Sequence, residues 1–256
     1  DHCGGLSAVL ASTRTDAFYC SVDSWHTKVF SDVTKYVEQQ GISVTVPQAG
    51  DTFAFSDASV EFLGPVVDYG DDPNEGSLVA RVRYGETSFL FTGDMGFEAE
   101  DDMLAAGVDV SATVLKVAHH GSAGSSSTEF LQAVHPQYAV ISVGADNDYG
   151  HPTEAALNRL SACGIPVYRT DLLGEIIAVS DGKTVTITSA SNEAPPASDA
   201  ASQTTGSYGY VGNSSSKVVH LASCGKLPGE SNRVYFASLD EALAAGYRKH
   251  ANCLGN

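Results

Sequence analysis

Short apolar runs alternate with amphipathic stretches along the first 189 residues. Leu6 to Leu10, after Gly4-Gly5, predicts a helix start. His26 to Gln40 carries Val29, Val33 and Val37 at helical spacing, with Gly41 where a C-terminal cap is expected. The runs Ile42–Val46, Ser59–Leu63, Leu78–Tyr84 and Ser88–Phe91 predict strands, the last two joined by a Gly85-Glu86 turn. Beyond Asp94, helices are predicted over Phe97–Ala106 (ended by Gly107), Thr128–Val134 and Thr153–Cys163, the last with Thr153 as N-cap. Strands are predicted between and after them at Thr113–Ala118, Tyr138–Val143 and Val167–Arg169. Glu175–Val179 and Thr184–Thr188 close the pattern around an Asp181-Gly182 turn. This alternation predicts a layered α/β domain over residues 1–188 with mixed strand directions.

Residues 189–207 hold Ser, Ala, Pro, Thr, Asn and Gly with almost no apolar anchor, a composition that predicts a flexible linker. Structure resumes near Tyr208, and Ser238-Leu239-Asp240-Glu241 reads as a capping box opening a helix to Ala245. With 256 residues and 43% hydrophobic content, the chain affords one good core plus a smaller unit over 208–256. The formal charge is −17, from 31 acids against 14 bases, and the excess lies before residue 190. Such a surface repels nucleic acid at long range, so contact with DNA or RNA is expected to be local and metal-assisted. Five scattered cysteines do not make a disulfide framework, although Cys3 and Cys20 are expected to pair if the compartment is oxidising. No apolar run reaches the roughly 20 residues of a membrane span. The expected form is a monomer, placed extracellularly or at the cell surface.

Candidate chemistry gathers where β-type runs end. Phe91-Thr92-Gly93-Asp94 is one such place, Leu115-Lys116-Val117-Ala118-His119-His120-Gly121-Ser122 a second, and Asn147-Asp148-Tyr149-Gly150-His151-Pro152 a third. Carboxylates and imidazoles are the donors that a borderline cation such as Zn²⁺ or Mn²⁺ takes. Adjacent imidazoles are costly to bury without partners. On an extended strand His119 and His120 point to opposite sides, so one is expected to ligate while the other buttresses or touches substrate. Lys116, on the same strand, faces either the core or the cleft, where it would compensate phosphate charge. Asn74 and Ser77 are expected to shape the cleft, and Asp171 to support a histidine or make a turn. His26 and His135 are read as structural or solvated.

These segments, together with Tyr168-Arg169-Thr170-Asp171, resemble the metallo-β-lactamase superfamily, and more narrowly the hydrolase domain of the ComEC/Rec2 competence family. The resemblance covers about residues 1–188 and implies a four-layer αβ/βα sandwich. Asp1-His2-Cys3-Gly4-Gly5-Leu6 looks like the tail of the family's first metal motif. The chain is therefore read as N-terminally truncated, its first strands missing. The resemblance implies two divalent metals, Zn or Mn. Asp1, His2 and His151 would serve one, His119 or His120 the other, and Asp94 would bridge them. Asp1 would also orient the attacking water or take its proton, and Lys116 would assist catalysis.

His220-x3-Cys224 and His250-x2-Cys253 form a four-donor zinc pattern on a unit too small to be stable without a staple. The segments Ser216–His220, Asn232–Phe236 and Ala245–Arg248 resemble the Ada-type metal-binding domain, and the mixed ligands favour a structural zinc. This α+β module is mildly basic, with five bases against three acids, and a role as spacer or as tether to DNA or a wall polymer is expected. The predicted function is metal-dependent hydrolysis of a phosphodiester, nuclease-like, by a metal-activated water. The alternatives are hydrolysis of a small ester, lactone or phosphocholine substrate, and a non-catalytic binding protein acting through the zinc module.

Overall fold

A computed structural model describes residues 2–190, 210–221, 224, 226–229, 232–236 and 239–254. Asp1, Ser238 and linker positions 191–207 lie outside the described residues.

Helices α1 (Leu6–Ser12) and α2 (Lys28–Gln39) flank a two-residue parallel pair, β1 (Phe18–Tyr19) and β2 (Val44–Thr45). α2 starts where the Thr27 side chain accepts from Phe30 N–H. It stops where Gly41 takes φ +73°: Gly41 N–H donates to Glu38 O at 2.9 Å and Ile42 N–H to Val37 O at 3.3 Å. Val33 and Val37 turn inward with Leu10, and Phe18 and Val44 pack on them.

The main sheet runs in chain order through β3 (Thr52–Phe55), β4 (Ala58–Gly64), β5 (Val79–Tyr84), β6 (Thr87–Phe91), β7 (Val114–Lys116), β8 (Tyr138–Ile141) and β9 (Val167–Arg169). β3 to β6 are antiparallel, and β6 to β9 are parallel. Parallel neighbours need crossovers, which here pass through α3 (Phe97–Ala105), α4 (Thr128–Val134) and α5 (Glu154–Ala162). One core joins strands to helices: Leu90, Leu115, Ala139 and Ile141 from the sheet meet Met103, Phe130, Leu131 and Leu160. Burying one such large side chain contributes about 1.5–3 kcal/mol. Tyr19 stacks on Phe53 at 5.1 Å and 8°, tying β1 to the antiparallel half. α6 (Thr170–Leu173) and the hairpin of β10 (Ile176–Ser180) and β11 (Val185–Ser189) complete this part.

The C-terminal unit contains β12 (Tyr210–Asn213), β13 (Val218–Leu221), β14 (Arg233–Phe236), α7 (Leu239–Ala244), β15 (Arg248–Lys249) and α8 (Ala251–Leu254). Its sheet order is β14-β12-β13-β15, over a small core of Val219, Val234, Phe236, Ala242 and Tyr247. β14 lies against α5, and its Tyr235 hydroxyl is 3.4 Å from Thr128 Oγ1 at the start of α4.

The layering is the mixed α/β arrangement expected, with the two-stranded β1-β2 and β10-β11 pairs beside the large mixed sheet. Several details differ. β1 and β3 add to the expected strands, since neither carries a strong alternating signal. The strand expected to run to Ala118 stops at Lys116. β11 runs through Ser189, the first residue assigned to the linker.

Candidate metal centre

Four parallel strands end on the same side of the sheet, where doubly wound and mixed α/β sheets present their functional loops. Asp94 follows β6, His119 and His120 follow β7, and His151 lies in the loop after β8. His2, from the N-terminal segment, meets them: its Nε2 is 2.9 Å from Asp94 Oδ2. His120 Nε2 lies 3.6 Å from Asp94 Oδ1, and His119 Nε2 4.0 Å from Oδ2. One donor atom from each of His2, Asp94 and His120 lies within 4.8 Å of the other two. His151 packs against His119, ring centres 5.6 Å apart, and Tyr149 lies over His151 at 5.9 Å. The structure thus groups His120 with His2, and His151 with His119.

The local chain explains this convergence. His119 and His120 do not continue the strand. Both adopt left-handed backbone, with φ +48° and +54°, which costs about 1–3 kcal/mol each in a residue with a side chain. The alternation expected of an extended strand therefore fails, and both rings reach Asp94. Gly121 extends the turn at φ +84°, where a Cβ would lie 2.6 Å from Pro152 Cβ. Gly93 is held as tightly: at φ +54° its added Cβ would lie 2.8 Å from Ser77 Cβ. Ser77 Oγ accepts from Asp94 N–H at 2.9 Å, and His119 N–H donates to Gly93 O at 3.1 Å. His120 Nδ1 is 2.6 Å from Ser142 O, which fixes that ring nitrogen as the protonated one and aims Nε2 at Asp94.

Burial works against ionisation of Asp94, but the hydrogen bond from His2 and the fields of His2, His120 and His119 outweigh it and hold the carboxyl below its usual range. Its Oδ1 is buried without a hydrogen-bond partner among the described residues, as is His151 Nδ1. Burial also lowers His151, helped by His119 and His120, which keeps the ring neutral and able to ligate. Buried carboxylate and imidazole atoms left open beside further imidazoles are what a divalent cation fits.

Lys116 is half-buried, and its Nζ donates to Val117 O at 2.8 Å. Burial lowers its pKa and the Asp94 carboxylate partly restores it, which places the amine in the field of the centre. Asp171 supports no histidine: both its oxygens are taken by Arg169, at 3.0 and 2.5 Å. Cys3 and Cys20 are free thiols. His135 is exposed at the left-handed C-cap of α4, and His26 lies beside Trp25.

A cleft of about 1460 Å³ opens beside Asp94 and His2. Tyr19, Trp25, Phe30, Val66 and Tyr69 give it an apolar wall, and Asp23, Asp68 and Asp72 add negative charge. None of its described lining residues is Lys or Arg. Asn74 and Ser77 line it as expected. Sequence reasoning missed Glu75, whose Oε2 accepts from Gly96 N–H at 3.1 Å and Ala99 N–H at 2.8 Å, fixing the start of α3 just past Asp94.

In the C-terminal unit, donor atoms of His220, Cys224, His250 and Cys253 all lie within 4.8 Å of one another. His250 Nδ1 is 3.2 Å from Cys253 Sγ and 3.8 Å from Cys224 Sγ. Leu221 N–H points at Cys253 Sγ from 3.4 Å, a backbone donor suited to a thiolate. Burial, then His250, lowers the pKa of His220.

Carboxylate and imidazole side chains collected beyond the ends of parallel strands, beside a wide cleft, define the class of a metal-dependent hydrolase on a layered α/β scaffold. Residues 1–145 match the Metallo-beta-lactamase superfamily, and the chain belongs to that superfamily. It is 35% identical over 144 residues to the ComE operon protein 3 of Bacillus subtilis, covering 56% of this chain and 19% of that protein. It is 45% identical over 117 residues to the Competence protein ComA of Neisseria gonorrhoeae, covering 45% and 17%. It is also 30% identical over 178 residues to the Recombination protein 2 of Haemophilus influenzae, covering 69% and 20%. The expected kinship with competence-type hydrolase domains therefore holds, and the chain spans about a fifth of the length of these relatives.

Proposed function

We propose that the chain is a metal-dependent phosphodiesterase, nuclease-like in chemistry. The observation that carries this reading is the meeting of His2, Asp94 and His120, with His119 and His151 alongside, at one end of the parallel strands. His2, Asp94 and His120 would hold one divalent cation, and Asp94, His119 and His151 a second, with Asp1 as a further ligand. Such ions supply an acidified water and a hold on a phosphoryl oxygen. The chain's own residues do the rest. Ser142 O orients His120, Ser77 fixes the Asp94 backbone, and Lys116 offers positive charge to the phosphate. Relatives named for competence and recombination support a nucleic-acid phosphodiester as the substrate. With a net charge of −17, a short or single-stranded form is favoured over duplex.

One observation favours a second reading. A cleft whose described lining residues include no Lys or Arg suits a small, largely apolar ester, or one bearing a cationic group such as phosphocholine, better than a tracked polyanion. The Cys and His group of the tail is proposed to hold a structural zinc in an Ada-like module, a spacer or tether on a monomeric extracellular or surface protein. Among the described residues, no helix is long and apolar enough to cross a membrane.

The test is turnover of bis-p-nitrophenyl phosphate, a single-stranded oligonucleotide and p-nitrophenyl phosphocholine, with Mn²⁺ or Zn²⁺ added. Asp94→Ala should cost at least about a hundredfold, since even outer partners of metal ligands cost roughly 10–100-fold. Equal turnover by wild type and variant would defeat the hydrolytic reading. Preference for the choline ester over the oligonucleotide would move the second reading forward.

A further inference from the structure

We propose that Glu100 and Arg159 form a buried brace that positions the ligand-bearing loops and thereby sets the metal affinity of the centre. This inference rests on the metal-centre reading above.

Glu100, on α3, is fully buried, and Arg159, on α5, is 1% exposed. They grip opposite sides of the segment 122–127, which directly follows His119-His120-Gly121. Glu100 takes its amides: Oε1 accepts from Ser126 N–H, and Oε2 from Ser127 N–H at 2.7 Å. Arg159 takes its carbonyls: Nε donates to Ser126 O at 2.8 Å, and Nη2 to Ser125 O at 2.6 Å and Ala123 O at 3.0 Å. The guanidinium also lies over the Phe97 ring, 5.3 Å from its centre, at the start of α3.

The brace reaches all three strand-end ligand segments. α3 is the helix that follows Asp94, and α5 is the helix that follows His151. The gripped segment is tied back to the histidine turn, because Ser125 Oγ donates to Ala118 O at 3.0 Å. It is also tied to α3, where Phe97 N–H donates to Gly124 O at 3.0 Å. From the α5 side, Thr153 N–H and Oγ1 both donate to Gly121 O, at 2.9 and 3.0 Å. Removing either side chain's hydrogen-bonding groups would leave the segment's buried polar groups open, so the loops carrying Asp94, His119, His120 and His151 would lose their fixed spacing. Holding a left-handed pair of histidines needs this kind of over-determination.

Elsewhere a comparable group serves as a control. Arg81 is 3% exposed and donates to Glu61, Asp109 and the carbonyls of Asp109 and Ser111, in the antiparallel half of the sheet. Its loss should destabilise the sheet without reaching the ligand loops.

The experiment measures Mn²⁺ and Zn²⁺ dissociation constants of the full chain by calorimetry, for wild type, Glu100→Gln, Arg159→Lys and Arg81→Lys. Circular dichroism and thermal midpoints follow the fold of each metal-free protein. The expected result is roughly tenfold or greater weakening in the two brace variants, in the range of other residues that orient metal ligands. Arg81→Lys should lower the midpoint and keep wild-type affinity. Folded brace variants with wild-type affinity would overturn the proposal. So would equal weakening in Arg81→Lys, which would mark a general effect of stability. If Glu100→Gln does not fold, Arg159→Lys decides, since it keeps the charge and loses the fork that holds three carbonyls. A wild type that binds no metal beyond the tail's zinc would overturn the metal-centre reading itself, an outcome distinct from unchanged affinity in the variants.

Discussion

The two candidate metal centres are assembled in opposite ways. In the larger domain the donors come from the N-terminal segment and from separate strand ends, and the cleft reaches only His2 and Asp94. In the tail, four donors belong to one small unit, and no cleft-lining residue is among them. The first arrangement depends on a scaffold that folds around its own core of Leu90, Leu115, Phe130 and Leu160 and then presents ligands. The second has a small core, with five clustered buried residues among those described, a size at which a bound metal would help hold the fold. An open donor set suits chemistry, and a closed set of four suits structure.

Breaking the tail centre should give the largest effect on folding and the smallest on chemistry. Cys224→Ser is expected to release zinc and unfold residues 208–256, because structural zinc in small units contributes on the order of 10–16 kcal/mol. Zinc stoichiometry and limited proteolysis would show it. Phosphodiester turnover should stay within about twofold of wild type, as expected for a change well separated from the site. A parallel collapse of turnover would mean that the two centres are coupled through the contact of β14 with α5.

A smaller change sharpens the contrast from the other side. Ser77→Ala removes the acceptor for Asp94 N–H and should lower turnover about tenfold, while thermal stability falls by about 1 kcal/mol. The tail should keep its zinc, measured on the same sample.

The smallest effect is a pH slope. Burial pushes the Glu100 carboxyl from 4.5 up to about 7, against the pull of Ser127, Ser126 and Arg159. The folded state then holds a proton that the unfolded state has released. Stability from this group is full below pH 4.5 and is lost as pH rises through about 7. Urea midpoints of the metal-free chain should therefore fall more across that window in wild type than in Glu100→Gln. Parallel curves would show that Glu100 is ionised throughout.

Much of this was legible in the sequence, and the failures share a cause. α4 is legible to the residue, and Thr153 as the N-cap of α5, because those signals are local. The convergence of Asp94, His119 and His120 followed from their places at strand ends. Their relative orientation did not, because two non-glycine residues in left-handed backbone are set by Gly93, Gly121, Pro152 and the segment 122–127. For Asp171 the sequence leaves support of a histidine or a turn open, because the pairing with Arg169 two residues away is a contact that periodicity does not reveal. β3 escaped because its side chains are largely exposed and give no alternation. Glu100 left one faint trace, an acid one turn before Met103 on the buried side of α3, and Arg159 a similar one beside Leu160.

That none of the cleft's described lining residues is Lys or Arg has a kinetic consequence. Most proteins that act on nucleic acid lose affinity as salt rises, because their cations release ions from the phosphates. If the substrate is an oligonucleotide, as proposed, an anionic strand would first meet a cleft with Asp23, Asp68 and Asp72 on a chain of net charge −17. Added salt would screen that repulsion and quicken encounter, so the ionic-strength dependence of association with an oligonucleotide should slope upward before it turns.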